Sequence, residues 1–111
     1  RSFRTRKLQT VLTPPTIADG ARTPYLGRYT FAMMLTHVDD MMTVSDDELR
    51  KAMRFCFERM KIVAEPTGVL ALAGLIKAAQ SGVLADARRI GVVLSGGNVD
   101  PALFSAILSG D

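Results

Sequence analysis

Apolar positions along this chain recur with two different spacings, and each predicts a different element. Between residues 49 and 63, Leu49, Met53, Cys56, Met60 and Val63 return every three or four residues. That period makes one apolar stripe on a helix, with Arg50, Lys51, Arg54, Glu58 and Lys61 left on the wet face. Ser45-Asp46-Asp47-Glu48 precedes it as a capping box, and its acids suit the positive end of the helix dipole. Glu65-Pro66 ends the helix, because a residue before proline avoids the helical region. A second helix is predicted from Pro66 or Thr67 to a cap at Ser81-Gly82. Its small residues Gly68, Ala71, Ala73, Gly74 and Ala78 permit close packing.

Residues 90–94 break the helical rhythm. Ile90 to Leu94 is a short apolar run rich in β-branched residues, which predicts a strand buried on both faces. Ser95-Gly96-Gly97-Asn98 stops it. Asp100-Pro101 then starts a helix to about Leu108, with Asp as N-cap and Pro at the first helical position. Strand, glycine turn and helix is how open α/β sheets present a ligand site beyond their strand ends. Further upstream, Met41–Val44 predicts a short strand and Arg28–Leu35 a helix, while Pro14-Pro15 and the Thr16–Gly27 stretch predict a loop with Gly20 at a tight position. The predicted class is α/β: part of an open sheet with packed helices, with too few strands to stand comfortably alone.

Composition narrows the function. The chain has 111 residues, 48% hydrophobic and 23% charged, enough for a core. Its longest apolar runs are far short of a membrane span, and from residues 1–10, which hold no apolar stretch, no secretory signal is expected. The net charge is +3, and Arg1, Arg4, Arg6, Lys7, Arg22 and Arg28 face only Asp19 among residues 1–31. Phe3 alone is interleaved with the first of these bases, too little for a stacking platform, so a solvated or protein-docking segment is preferred to nucleic-acid binding. Cys56 is the only cysteine, which excludes an internal disulfide or a cysteine metal cluster and fits a cytoplasmic location. The thiol lies on the apolar stripe, and the six methionines read as packing.

Four ordered motifs carry a resemblance. Thr16-Ile-Ala-Asp-Gly20, Val38-Asp-Asp40 leading to Val44-Ser-Asp-Asp-Glu48, Glu58-Arg-Met-Lys61 through Glu65-Pro-Thr-Gly68, and Ser95-Gly-Gly-Asn-Val-Asp100 resemble the C-terminal part of the serine/threonine dehydratase and serine racemase family. Gly20-Ala-Arg-Thr-Pro-Tyr-Leu-Gly27 resembles its threo-3-hydroxyaspartate dehydratase branch in particular. The resemblance implies a fold-type II enzyme, of the tryptophan synthase β type, that uses pyridoxal phosphate (PLP). It implies that residues 1–111 are the C-terminal portion of the catalytic domain. The lysine that bonds the cofactor, the phosphate loop and the carboxylates for a divalent cation such as Mg would then lie outside this sequence.

The resemblance also assigns roles. Ser95 corresponds to the serine that hydrogen-bonds the pyridine nitrogen, although a plain turn cap would look the same. Gly20, Glu65, Gly96 and Asn98 correspond to positions around the cofactor. Turn glycines, a helix-start carboxylate and a loop amide are the simpler alternatives. Asn98 with Lys61 could instead belong to a nucleotide site. Arg22 and Arg28 are candidates for a second substrate carboxylate, since arginine pairs carboxylates bidentately; surface exposure is the alternative. His37, Asp39 and Asp40 are expected to be loop residues rather than ligands. The expected reaction is elimination from a β-hydroxy amino acid, with 3-hydroxyaspartate favoured over serine or threonine dehydration and serine racemisation. Expected partners are a small amino-acid substrate, the rest of the same enzyme and a second copy in a homodimer, with neither nucleic acid nor membrane. A non-catalytic regulatory or interaction module built on this half-domain is the alternative of another class.

Overall fold

A computed structural model describes residues 1–110. Five α-helices follow in order: α1 (Ser2–Thr5), α2 (Arg28–His37), α3 (Asp46–Phe55), α4 (Leu70–Gln80) and α5 (Pro101–Ser109). Short 3₁₀ turns sit at Asp19–Ala21 and Thr67–Val69, and a π-helical turn, Cys56–Met60, continues α3. The core forms where α3, α4 and α5 meet. Leu49, Ala52, Met53 and Cys56 pack there against Val69, Leu72, Ala73 and Ile107.

The helix starts follow the local chemistry. The Ser45 hydroxyl accepts from the Glu48 amide at 3.2 Å, and the Glu48 carboxylate accepts from the Ser45 amide at 2.6 Å. The Asp100 carboxylate accepts from the Leu103 amide at 2.9 Å, with Pro101 in the first helical turn. Gly110 ends α5 in the left-handed conformation, at φ 90°.

Two expectations need correction. The predicted helix does not run to Glu65. The π turn at Cys56–Met60 closes wider than an α turn, so the apolar stripe loses its phase. Leu49, Met53 and Cys56 remain buried, whereas Met60 and Val63 are 44% and 49% exposed. Lys61, at φ 58°, then turns the chain away. Arg54 is not on the wet face either: half-buried, it donates to the Ile107 carbonyl at 2.5 Å and so caps the last turn of α5.

The second correction concerns the sheet. Neither Met41–Val44 nor Ile90–Leu94 forms a β-ladder, and the described residues contain no strand. Residues 89–99 run without helix or ladder, with exposed and half-buried positions alternating from 91 to 96. Val92 and Leu94 pack on the core, but Ile90 and Val93 are 50% and 72% exposed. The run is therefore not buried on both faces. A strand is completed by neighbours across its hydrogen-bonding edges, and this chain places none there. The uncovered side forms a broad apolar groove of about 930 Å³, lined by Met34, Val38, Leu70, Leu75, Leu84 and Val92 among others.

Candidate functional site

Three loops converge beside the helical core. The first is Thr16–Arg22, the second Glu65–Gly68 ahead of α4, and the third Ser95–Asp100 ahead of α5. Main-chain hydrogen bonds stitch the second to the third. The Glu65 amide donates to the Gly96 carbonyl at 3.1 Å, and the Ser95 amide donates to the Gly68 carbonyl at 3.2 Å. A side chain at 68 would collide with the Gly96 carbonyl, and one at 96 with the Glu65 carboxylate. At 97 a Cβ would lie 2.5 Å from the Val63 carbonyl oxygen. All three residues have ordinary φ, so at 68 and 97 glycine serves the close approach of backbone, whereas at 96 the Glu65 side chain could swing aside.

The first loop joins through side chains. The Gly20 amide donates to the Thr67 hydroxyl at 3.1 Å and to the Asp19 carboxylate at 2.8 Å. A Cβ on Gly20 would stand 3.1 Å from the Thr67 hydroxyl oxygen. Together the loops enclose a cavity of about 280 Å³, whose lining includes Ile17, Asp19, Arg22, Glu65, Asn98 and Asp100.

The expected site residues thus fall into two groups. Gly20, Glu65, Ser95, Gly96 and Asn98 lie on these three loops, and Arg22 reaches the cavity wall. Ser95 is exposed, with its amide tied to Gly68. Glu65 is half-buried, its carboxylate lying over Gly96. The Arg22 guanidinium is already engaged, donating from Nε and one Nη to the Thr16 carbonyl at 2.9 and 2.6 Å. Arg28 instead opens α2, is exposed, and is outside the lining of this cavity. Lys61 donates to the Glu58 carbonyl at 2.8 Å, capping its own turn. His37 closes α2. Asp40 pairs with Arg4 at 2.6 Å and accepts from the Met41 amide. Among the described residues no cluster of histidine, cysteine and carboxylates is arranged for a metal ion. No helix there is long and apolar enough to cross a membrane.

Thr16, Asp46 and Thr67 were not expected to matter here. Asp46 reads locally as a helix-dipole residue and Thr67 as a helix start. Their partners lie 30 and 47 residues away, and no short-range spacing reveals such a contact.

This chain is similar to enzymes named for their action on amino acids. It is 47% identical over 110 residues to the L-threo-3-hydroxyaspartate ammonia-lyase of Saccharomyces cerevisiae, covering 99% of this chain and 33% of that enzyme. It is 47% identical over 109 residues to the serine racemase of Schizosaccharomyces pombe, covering 98% and 33%. The solved structure of maize serine racemase superposes with a TM-score of 0.84 at 34% identity, covering 99% of this chain and 35% of that one. The chain therefore spans about a third of the length of the curated relatives it matches. Residues 1–96 match the family described as pyridoxal-phosphate dependent enzyme. With most of its length inside that match, the chain belongs to the pyridoxal-phosphate dependent enzyme family.

Proposed function

We propose that this chain is the C-terminal portion of a PLP-dependent ammonia-lyase and supplies the wall of the active site that faces the cofactor ring. The single observation that carries the reading is the Ser95–Gly96 tip. An exposed hydroxyl ends the extended run, held by its backbone to Gly68, beside a half-buried Glu65 carboxylate that lies over Gly96. A neutral donor on a rigid turn suits a heteroaromatic nitrogen, so the residues present fit the group.

Bound PLP supplies the electron sink for the bond broken at the substrate's α-carbon. Ser95 offers its hydroxyl to the ring nitrogen. Being uncharged, it cannot hold a proton there as a carboxylate would. The sink is then weaker, which favours prompt loss of a β-hydroxyl over return of a proton to the α-carbon. Glu65, with Gly96 beneath it, fixes the edge of the ring site. Gly20 brings main chain close to it, and Asn98 braces the turn. Arg22 retains one Nη for a second substrate carboxylate, as 3-hydroxyaspartate has and serine lacks. Arg28 would need the rest of the enzyme to bring substrate to it.

The remaining two thirds of the enzyme covers the apolar groove. Its strands would flank Ile90–Leu94 and complete the open parallel sheet that this chain only begins. The intact enzyme is a cytoplasmic homodimer acting on a small amino acid, with a divalent cation held by residues outside this chain.

Visible absorbance of the intact protein with PLP tests the reading. Addition of 3-hydroxyaspartate should perturb the cofactor band more than serine or threonine does, with oxaloacetate and ammonia appearing together. A band indifferent to all three substrates would sink it. Ser95→Asp should retain the cofactor band, slow elimination and raise the share of racemised substrate. An unchanged partition would remove Ser95 from the ring nitrogen.

A further inference from the structure

Three acids open α3, and two of them serve the helices themselves. Asp47 pairs with Arg50 one turn on at 3.1 Å. Glu48 closes the capping box and pairs with Lys77 of α4 at 3.2 Å. Asp46 does neither. Half-buried, it turns away from its own helix and spends both oxygens on the first loop. Oδ1 accepts from the Thr16 hydroxyl at 2.7 Å, and Oδ2 accepts from the Ile17 amide at 3.1 Å.

Thr16 passes this restraint along the loop. Its hydroxyl oxygen accepts from the Ala18 amide at 3.2 Å, and its carbonyl receives the Arg22 guanidinium. Ala18 itself is buried in the core. The Asp19–Ala21 turn then delivers the Gly20 amide to Thr67, at the head of α4. The loop is thus a bridge with one foot on α3 and the other ahead of α4. Bonds to a charged acceptor are the stronger kind, and a bidentate carboxylate fixes direction as well as distance.

We propose that Asp46 is a positioning residue for the active-site loop: its carboxylate, acting through Thr16 and Ile17, sets where Gly20 meets Thr67 and where Arg22 stands at the cavity. The contact itself stands on the geometry alone, while its consequence for the cofactor rests on the proposed function.

The test uses the intact enzyme and four variants. Asp46→Ala removes both acceptors. Thr16→Val removes the hydroxyl and leaves α3 untouched, so it serves if Asp46→Ala does not fold. Asp46→Asn should rescue in part: its oxygen accepts from the Ile17 amide, while its nitrogen donates to the Thr16 hydroxyl oxygen, which has two lone pairs, but the charge is gone. Asp47→Ala removes an equivalent charge from the same helix turn and is the control for the dipole.

Two readouts are followed. Tryptic cleavage after Arg22, identified by peptide mass, reports the loop directly. Titration of the apoenzyme with PLP, followed by cofactor fluorescence, reports the site. Asp46→Ala and Thr16→Val should each speed the cleavage and weaken cofactor binding by about tenfold, the scale of a lost charge-assisted hydrogen bond. Asp47→Ala should stay close to wild type in both, and Asp46→Asn, which keeps both contacts without the charge, should fall between wild type and Asp46→Ala. Wild-type cleavage in Asp46→Ala and Thr16→Val overturns the proposal, as does an equal effect from Asp47→Ala. Faster cleavage with unchanged PLP binding upholds the positioning role and instead overturns the cofactor role given to Gly20.

Discussion

The helical core and the extended segments of this chain meet the same requirement in opposite ways. α3, α4 and α5 satisfy their backbones internally and bury one another's apolar faces, with Arg54 and the Asp100 cap finishing the ends. The extended run at 90–94 is equally apolar, yet it has no ladder and leaves Val93 72% exposed. A helix closes its hydrogen bonds within itself, whereas a strand borrows its partners. The helical part therefore satisfies itself within these residues, whereas the extended run leaves its backbone edges unpaired and one apolar side uncovered.

The largest effect is expected where the two parts cross. Gly68→Ala would drive a Cβ into the Gly96 carbonyl, and both are held by main-chain bonds. The loss should be about 3 kcal/mol or more in chemical denaturation of the intact protein, with loss of cofactor binding. Gly82→Ala, at φ 76° with open space around it, should cost only about 1–2 kcal/mol. Equal losses would mean that the crossing is not rigid.

The next pair sharpens the contrast itself. Met53 is fully buried between the helices, so Met53→Ala should cost about 2–5 kcal/mol wherever it is measured. Val93→Asp tests the open face. In the intact enzyme it should destabilise by several kcal/mol, through a buried unpaired charge of the kind that costs about 3–5 kcal/mol. A change of less than about 0.5 kcal/mol, the scale of surface substitutions, would mean that the run stays solvent-facing and no sheet forms around it.

The smallest effect is electrostatic and belongs to the helical side. The Glu48 carboxyl is held below its usual pKa, first by the Ser45 amide and then by Lys77. A group with a depressed folded-state pKa stabilises the fold above its unfolded value, and that help is lost as pH falls through the folded value. Wild type and Glu48→Gln should therefore differ in urea midpoint at neutral pH and converge below about pH 4, under the ordinary glutamate value. The gap should be small, because the pair is exposed to solvent. A gap that widens on acidification would contradict the assignment.

These contrasts also explain what could be read from the residues. Ser45-Asp-Asp-Glu48, Asp100-Pro101 and Gly110 mark helix ends because capping is chemistry between near neighbours. The π turn escaped notice, because Met60 and Val63 keep a helical spacing on paper while one wide turn rotates them outward. The run at 90–94 carries strand-forming residues but forms no ladder, because pairing depends on neighbours that residue type does not specify. The resemblance singles out Gly20, Glu65, Ser95, Gly96 and Asn98, and the folded chain sets them on three neighbouring loops. The reach of Asp46 to Thr16, and of Gly20 to Thr67, was not legible in the residues. Such contacts are properties of the folded chain, and they leave no period or motif behind.

One buried side chain has a practical sequel. Cys56 sits fully enclosed at the junction of α3 and the π turn, and burial pushes its thiol pKa up. A protonated, shielded sulfur is nearly inert to alkylating reagents. Within this chain, the rate at which a maleimide captures it amounts to a stopwatch on the breathing of the three-helix junction, already installed and requiring no added probe.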